Sequence, residues 1–154
     1  MPVVHEGMLK AQNRKFAIIV TRFNSFLTDR LLEGALDTIR RHGGDTETVD
    51  VFKAPGCFEI PVLAKKVAAK GTYDAIICLG CLIRGDTPHF DYISAECTKG
   101  IAQTALDFGL PVAYGVITTE NLDQAIQRSG TKAGNKGSEA ALAAIEMADL
   151  FAQI

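Results

Sequence analysis

Apolar positions in this chain fall into two alternating patterns, short continuous runs and stripes at helical spacing, with glycine, proline and polar clusters between them. Residues 16–21 (FAIIVT) form a run of strand length, and Leu27, Leu31, Leu32, Ala35, Leu36 and Ile39 then recur at helical spacing. Asn24 or Ser25 is placed to cap that helix, and His42-Gly43-Gly44 to end it. The alternation then repeats. Residues 46–52 are β-rich, Pro55-Gly56 marks a turn, and Ile60, Leu63, Ala64 and Val67 form a second helical stripe that ends at Gly71. Residues 75–83 (AIICLGCLI) read as a strand buried on both faces. A helix from about Phe90 to Phe108 follows, stopped by Gly109. A fourth strand over 112–117, a short helix over 121–128, a loop over 129–137 and a closing Ala-rich helix over 138–151 complete the pattern.

Strands that alternate with helices call for right-handed crossovers, and these cover both faces of a parallel sheet. The expected fold is therefore α/β, a three-layer α/β/α sandwich around a central four-stranded parallel sheet, in one domain spanning 1–154. Residues 3–9 (VVHEGML) stand outside the alternation and are a candidate extra strand, paired within this chain or with a neighbouring subunit.

Composition narrows the function classes. Of 154 residues, 47% are apolar and 22% charged, and 16 basic side chains against 18 acidic ones give a net charge of -2. Such a balance excludes a disordered chain and, on bulk charge, a strongly basic partner of nucleic acid or of a membrane surface. No apolar run approaches the roughly 18 residues of a membrane helix, and residues 1–10 lack the apolar region of a secretory signal. A cytoplasmic protein is expected, with Cys57, Cys78, Cys81 and Cys97 reduced. Cys78 and Cys81 form a C-x-x-C, but side chains three apart on a strand point to opposite faces. They cannot share a metal or close a disulfide easily, so neither metal nor redox chemistry is expected.

Ligands of open parallel sheets bind beyond the carboxyl ends of the strands, so the segments that follow each strand hold the candidate chemistry. After the third strand, Arg84-Gly85-Asp86-Thr87-Pro88-His89 combines a tight turn, a hydroxyl and the free N–H groups of a helix start, which suits an anion. It also suits a plain connection with Thr87 as the N-cap. His89 stands at the positive end of the helix dipole, which favours a neutral imidazole able to accept a proton; a surface histidine without a role is the alternative. After the second strand, Gly56 lets backbone amides approach a flat ligand, while Glu59 either accepts from ligand hydroxyls or simply matches the helix dipole. Phe23, after the first strand, is a stacking platform for an aromatic ligand or a core ring. Residues 128–138 (RSGTKAGNKGS) are rich in glycine and basic side chains, but Gly137 follows Lys136, so this is not a Walker A loop. A mobile basic loop that folds over an anion and a solvated connector both remain open.

Taken together, Arg22-Phe23-Asn24, Pro55-Gly56-Cys57-Phe58-Glu59-Ile60-Pro61, the run from Ile83 to Tyr92 (IRGDTPHFDY), that from Gly115 to Asn121 (GVITTEN) and that from Gly130 to Gly137 (GTKAGNKG) resemble the lumazine synthase family in order and spacing over nearly the whole chain. The resemblance implies a transferase of riboflavin biosynthesis that condenses 5-amino-6-(D-ribitylamino)uracil with 3,4-dihydroxy-2-butanone 4-phosphate. The product is 6,7-dimethyl-8-ribityllumazine; phosphate and water leave, and no cofactor is used. It implies that Phe23 stacks on the pyrimidine, Glu59 holds ribityl hydroxyls, and Gly56, Cys57, Leu82 and Ile83 bind polar edges through their backbone, with Asn24 and Phe58 also at the substrate. Phosphate would sit on the amides of Gly85, Asp86 and Thr87 with Arg128 as its ion-pair partner, His89 would move protons, and Lys136 would help close the site. Tyr114 would add a hydroxyl from the neighbouring subunit. Three positions depart from the family pattern: Cys57 in place of Ala or Ser, Lys53-Ala54 in place of larger apolar residues, and Tyr114 in place of Phe. The implied partners are small-molecule substrates and further copies of this chain, in a homo-pentamer and an icosahedral shell of pentamers, with riboflavin synthase as an associated enzyme.

Two other classes share part of these features. A flavodoxin-like protein that binds flavin or lumazine without turnover would use Phe23 and Glu59 but have no need of His89 and Arg128 together. A structural shell protein with a decayed site would have lost those same residues.

Overall fold

The run at 16–21 is β1 (Phe16–Thr21), buried at all six positions. It leads into α1 (Ser25–Arg41), and the chain continues as β2 (Asp50–Ala54), α2 (Ile60–Ala68), β3 (Ala75–Ile83), α3 (His89–Phe108), β4 (Val112–Thr119) and α4 (Leu122–Arg128). A short ladder of β5 (Ser129–Thr131) and β6 (Gly134–Asn135) then precedes α5 (Lys136–Gln153). The computed structural model describes residues 1–131 and 134–154; Lys132 and Ala133 of the basic loop lie outside the described residues.

Strands β1 to β4 form one parallel sheet in the order β2-β1-β3-β4. Period-2 alternation sends Phe16, Ile18 and Val20 of β1 into one core, with Leu27, Leu31, Ala35 and Ile39 of α1 and Ala141, Ala144 and Ile145 of α5. The intervening Ala17 and Ile19 enter a second core with Ile60, Ala64 and Val67 of α2 and Cys97 and Ile101 of α3. The result is the expected three-layer α/β/α arrangement. Each fully buried side chain of this kind, Leu31 for example, contributes about 2 kcal/mol by leaving water. Cys78 and Cys81 fall into different cores, on opposite faces of β3.

Several limits differ from the sequence pattern for identifiable reasons. Thr46–Thr48 is a 3-10 turn and not strand, because Asp45 accepts from the Glu47 N–H at 3.0 Å and the Thr48 hydroxyl donates to the Asp45 carbonyl at 2.8 Å. These local bonds compete with the ladder. β4 runs on to Thr119, where it still pairs with Ile83 of β3. Part of the expected loop over 129–137 is ladder, with Ser129 opposite Asn135. α5 also begins two residues early, because Asn135 Oδ1 accepts from the N–H groups of Gly137 (2.8 Å) and Ser138 (3.1 Å).

Residues 3–9 form no strand within this single chain. They run beside α5, where the Met8 N–H donates to Asp149 at 2.8 Å and Gln153 donates to the Glu6 carbonyl at 2.9 Å, while Val3 and Val4 stay exposed. Among the described residues no helix is long and apolar enough to cross a membrane.

Candidate active site

The strand order reverses between β1 and β3, since the chain visits the β2 edge first and then crosses back. That switch point leaves a crevice at the carboxyl ends of the strands. A cavity of about 610 Å³ opens there, walled by the segments that follow β1, β2 and β3.

The segment after β1 is held to the end of β2 by the Arg22 N–H on the Ala54 carbonyl (2.8 Å) and the Phe23 N–H on the Pro55 carbonyl (3.1 Å). Phe23 is thereby turned out of the core into the cavity, 70% exposed. Asn24 occupies the N-cap position of α1 in the left-handed region (φ 62°, ψ 40°), but its side chain makes no cap bond. Its Nδ2 donates instead to the Cys81 carbonyl at 3.2 Å and ties the first wall to the third. Asn24 is thus a strut between strands, not the side-chain cap expected for this helix.

After β2, Gly56 is extended and Cys57–Glu59 form a 3-10 turn closed by the Glu59 N–H on the Gly56 carbonyl at 3.2 Å. This turn brings Glu59 to the cavity wall while Cys57 faces inward and is buried. Gly80 makes room for that thiol, since a Cβ there would stand 2.7 Å from Cys57 Sγ. A hydrogen bond to Cys97, followed by burial, pushes the Cys57 thiol far up, and burial raises Cys81 to about 11. The cavity-side sulfurs are therefore neutral packing groups.

The third wall is the end of β3. Leu82 and Ile83 pair with Thr118 and Thr119, and the Arg84 N–H continues the ladder onto the Thr119 carbonyl at 2.9 Å. The chain then turns through the exposed residues Gly85, Asp86 and Thr87. Pro88, not Thr87, holds the N-cap position of α3; the Thr87 hydroxyl accepts from the His89 N–H at 3.4 Å. Among the described residues no hydrogen bond engages the N–H of Gly85, Asp86 or Thr87. His89 is the first residue of α3 and lines the cavity.

One cavity thus collects Phe23, Asn24, Gly56, Cys57, Phe58, Glu59, Leu82, Ile83, Gly85, Thr87 and His89. Pro55, Cys81, Phe90 and Ile93 also line it, none of them among the site candidates that the sequence pattern offers. Ile93 lies four residues beyond His89 and three beyond Phe90, a helical spacing that is legible in the sequence. Asp86, Tyr114, Arg128 and Lys136 do not line it. Tyr114 lies on β4, its hydroxyl 2.8 Å from that of Thr98, in a separate concavity of about 440 Å³ with Phe90, Ser94, Lys99 and Thr118. Burial pushes its phenol up.

The lining includes Glu59 and His89 but no lysine or arginine. The candidate cations are elsewhere and near each other in register. Because Ser129 pairs with Asn135 in an antiparallel ladder, Arg128 and Lys136 flank that pair at the same end of the hairpin. Asn135 fixes the hairpin to α1 through Nδ2 on the Arg30 carbonyl at 2.9 Å. Arg128 is exposed and, among the described residues, forms no ion pair.

Comparison with known proteins gives a consistent picture. Residues 13–152 match the family described as 6,7-dimethyl-8-ribityllumazine synthase. A curated relative from Chlorobium luteolum, named 6,7-dimethyl-8-ribityllumazine synthase, is 57% identical over 146 residues, covering 95% of this chain and 94% of the relative. One of the same name from Pelodictyon phaeoclathratiforme is 59% identical over 149 residues, covering 97% and 96%.

Proposed function

Because the chain belongs to the 6,7-dimethyl-8-ribityllumazine synthase family, we propose that the cavity at the carboxyl end of its sheet is where the family's two substrates meet. The protein is a transferase of riboflavin biosynthesis, joining 5-amino-6-(D-ribitylamino)uracil to 3,4-dihydroxy-2-butanone 4-phosphate with release of phosphate and water. A flavin- or lumazine-binding protein without turnover is not favoured. The observation that carries the assignment of roles is the convergence of Phe23, Glu59 and His89 on one cavity beside the unengaged amides of Gly85–Thr87.

In this reading the exposed Phe23 ring stacks on the pyrimidine. Asn24 and Phe58 frame that platform. Glu59 accepts from ribityl hydroxyls, and the backbone of Gly56, Cys57, Leu82 and Ile83 holds the remaining polar edges. The amides of Gly85, Asp86 and Thr87 receive the phosphate at the start of α3, where the dipole favours an anion. The amine attacks the ketone, a first water is lost to an imine, phosphate is expelled, and after tautomerisation the ribityl-bearing nitrogen closes the ring onto the remaining carbonyl with loss of a second water. His89 stands beside these events as the group that moves protons. Holding both substrates together supplies much of the acceleration, so His89→Ala is expected to slow turnover roughly 100-fold, the low end of what general acid–base catalysis contributes, without abolishing it. The assay mixes protein with both substrates and follows lumazine fluorescence and phosphate release; turnover unchanged in His89→Ala removes its role.

A cavity without its own cation argues for completion by a second copy. We assign Arg128, Lys136 and Tyr114 of a neighbouring subunit to that part of the site, in a homo-pentamer of one-domain chains with an icosahedral shell as the further step. Residues 3–9, exposed and unpaired with the sheet here, would then add to a neighbour's sheet at an open edge. Size-exclusion chromatography with light scattering tests this: a pentamer or larger is expected, and a fully active monomer overturns it. Four free, buried cysteines fit the reducing cytoplasm as its compartment; a riboflavin synthase partner would be looked for by co-purification.

A further inference from the structure

We propose that Arg84 is a positioning residue for the phosphate-bearing substrate, acting by closing the turn that carries the anion-binding amides and by halving the negative charge of the two carboxylates beside it. This rests on the reading of the cavity given above. Arg84 is not part of the cavity lining, yet its guanidinium gathers three contacts around one turn. Nη1 and Nη2 reach the two oxygens of Asp91 at 3.3 and 3.1 Å, and Nε donates to Glu120 Oε2 at 2.8 Å. Its central carbon lies 4.5 Å from the centre of the Phe90 ring.

The geometry of these contacts gives them a function. Arg84 directly follows β3, whereas Phe90 and Asp91 belong to the first turn of α3, so the guanidinium joins the two ends of the segment 85–89. Gly85, Thr87 and His89, all at the cavity, lie between those ends. Gly85, Asp86 and Thr87 are exposed and lack anchoring bonds of their own through backbone N–H, so the fork adds to the Arg84 N–H bond on the Thr119 carbonyl and the Pro88 carbonyl bonds in limiting how far the turn can open. Phe90 lines the cavity on one side and the concavity holding Tyr114 on the other, and the guanidinium fixes this shared wall. Glu120 extends the link to the start of α4, where its N–H donates to Gln124 Oε1 at 2.9 Å.

Charge points the same way. Asp91 and Glu120 lie close to where an incoming phosphate would sit, and each would repel it. With one guanidinium satisfied by both, the group carries one net negative charge instead of two. Arg84 is already committed to carboxylates, so it does not itself serve as the phosphate's partner; it prepares the turn for that anion. A planar fork meets these demands in a way that a lysine cannot, since bidentate pairing and ring stacking both need the guanidinium plane.

The test is steady-state kinetics with each substrate varied separately, plus inhibition by inorganic phosphate, for the assembled wild-type protein, Arg84→Ala and Arg84→Lys. In Arg84→Ala the KM for the butanone phosphate and the inhibition constant of inorganic phosphate are expected to rise about tenfold, as loss of charge-assisted bonds implies. The KM for the ribitylaminouracil should stay within about twofold. Arg84→Lys should recover only part of the loss. Arg41→Ala, which breaks an exposed pair with Asp37 on α1, serves as the control without effect. Equal rises in both KM values would mean a merely structural role and overturn the proposal, as would phosphate inhibition unchanged in Arg84→Ala. If Arg84→Ala does not fold, the same split between the two KM values in Arg84→Lys decides. A wild-type protein that phosphate does not inhibit would instead overturn the reading of the cavity on which the proposal rests.

Discussion

Arg128→Ala is expected to lower kcat/KM by about 100- to 1,000-fold, the loss typical of removing one group that stabilises developing negative charge. The reaction expels phosphate, so charge must be met where that group leaves. The cavity lining offers amides and an imidazole but no lysine or arginine. Arg128 and Lys136 are held at one end of the β5–β6 hairpin, and Arg128 has no ion-pair partner among the described residues. A guanidinium meets two phosphate oxygens at once, so Arg128→Lys should recover only part of the rate. The same variant tests where the residue acts. Arg128→Ala and Glu59→Gln, unfolded together in equal amounts and reassembled, should regain activity in about one site in four if each site draws Glu59 from one subunit and Arg128 from the next. Mixing that restores nothing would place both residues in one subunit, and an Arg128→Ala protein with full turnover would remove the residue from the mechanism altogether.

The second large effect is on stability. Gly137→Ala is expected to cost about 3 kcal/mol, at the upper end of what overpacking a core usually costs. A Cβ at Gly137 would stand 2.0 Å from the carbonyl oxygen of Leu31, and 2.7 and 2.9 Å from its carbonyl carbon and Cα. All three are backbone atoms of α1, so no side-chain rotation relieves the clash; the two helices must move apart. That separation opens the core in which Leu31 and Ile145 are fully buried. It also shifts the start of α5, where Asn135 caps the helix and Lys136 stands. Urea denaturation followed by far-UV circular dichroism would measure the change, and an unchanged midpoint in Gly137→Ala would disprove the close approach. Lower phosphate affinity in whatever folded protein remains is the functional counterpart.

The two arguments differ in what they needed. Arg128 was nameable from the chain because a basic, glycine-rich segment stands out by composition and the family resemblance assigned it a role. Its position outside the chain's own cavity was not nameable. Gly137 was visible only as one glycine among several in that segment. Nothing local distinguishes a glycine required by a neighbouring backbone from one that permits a turn. Arg84 belongs with Gly137: it stood inside a quoted motif, but its three partners became evident only once β3, α3 and the end of β4 were brought together.

The sequence by itself determined the elements whose signal is periodic and local. β1 and β3 have the limits that their continuous apolar runs imply, and the α1 stripe of Leu27, Leu31, Ala35 and Ile39 is the face that is buried. From alternating strands and helices came the parallel sheet, and from the sheet came the edge where the cavity opens. Physically, an apolar side chain gains by leaving water whatever its partners are, so the spacing of such side chains along an element reports the geometry. Tertiary structure decided what depends on polar bonds between distant residues. Asn24 reaches Cys81 across 57 positions, Arg84 reaches Glu120 across 36, and Asn135 reaches Arg30 across 105. A polar group takes whichever partner the fold brings within about 3 Å, and that partner is set by how the sheet and helices pack, not by neighbours along the chain.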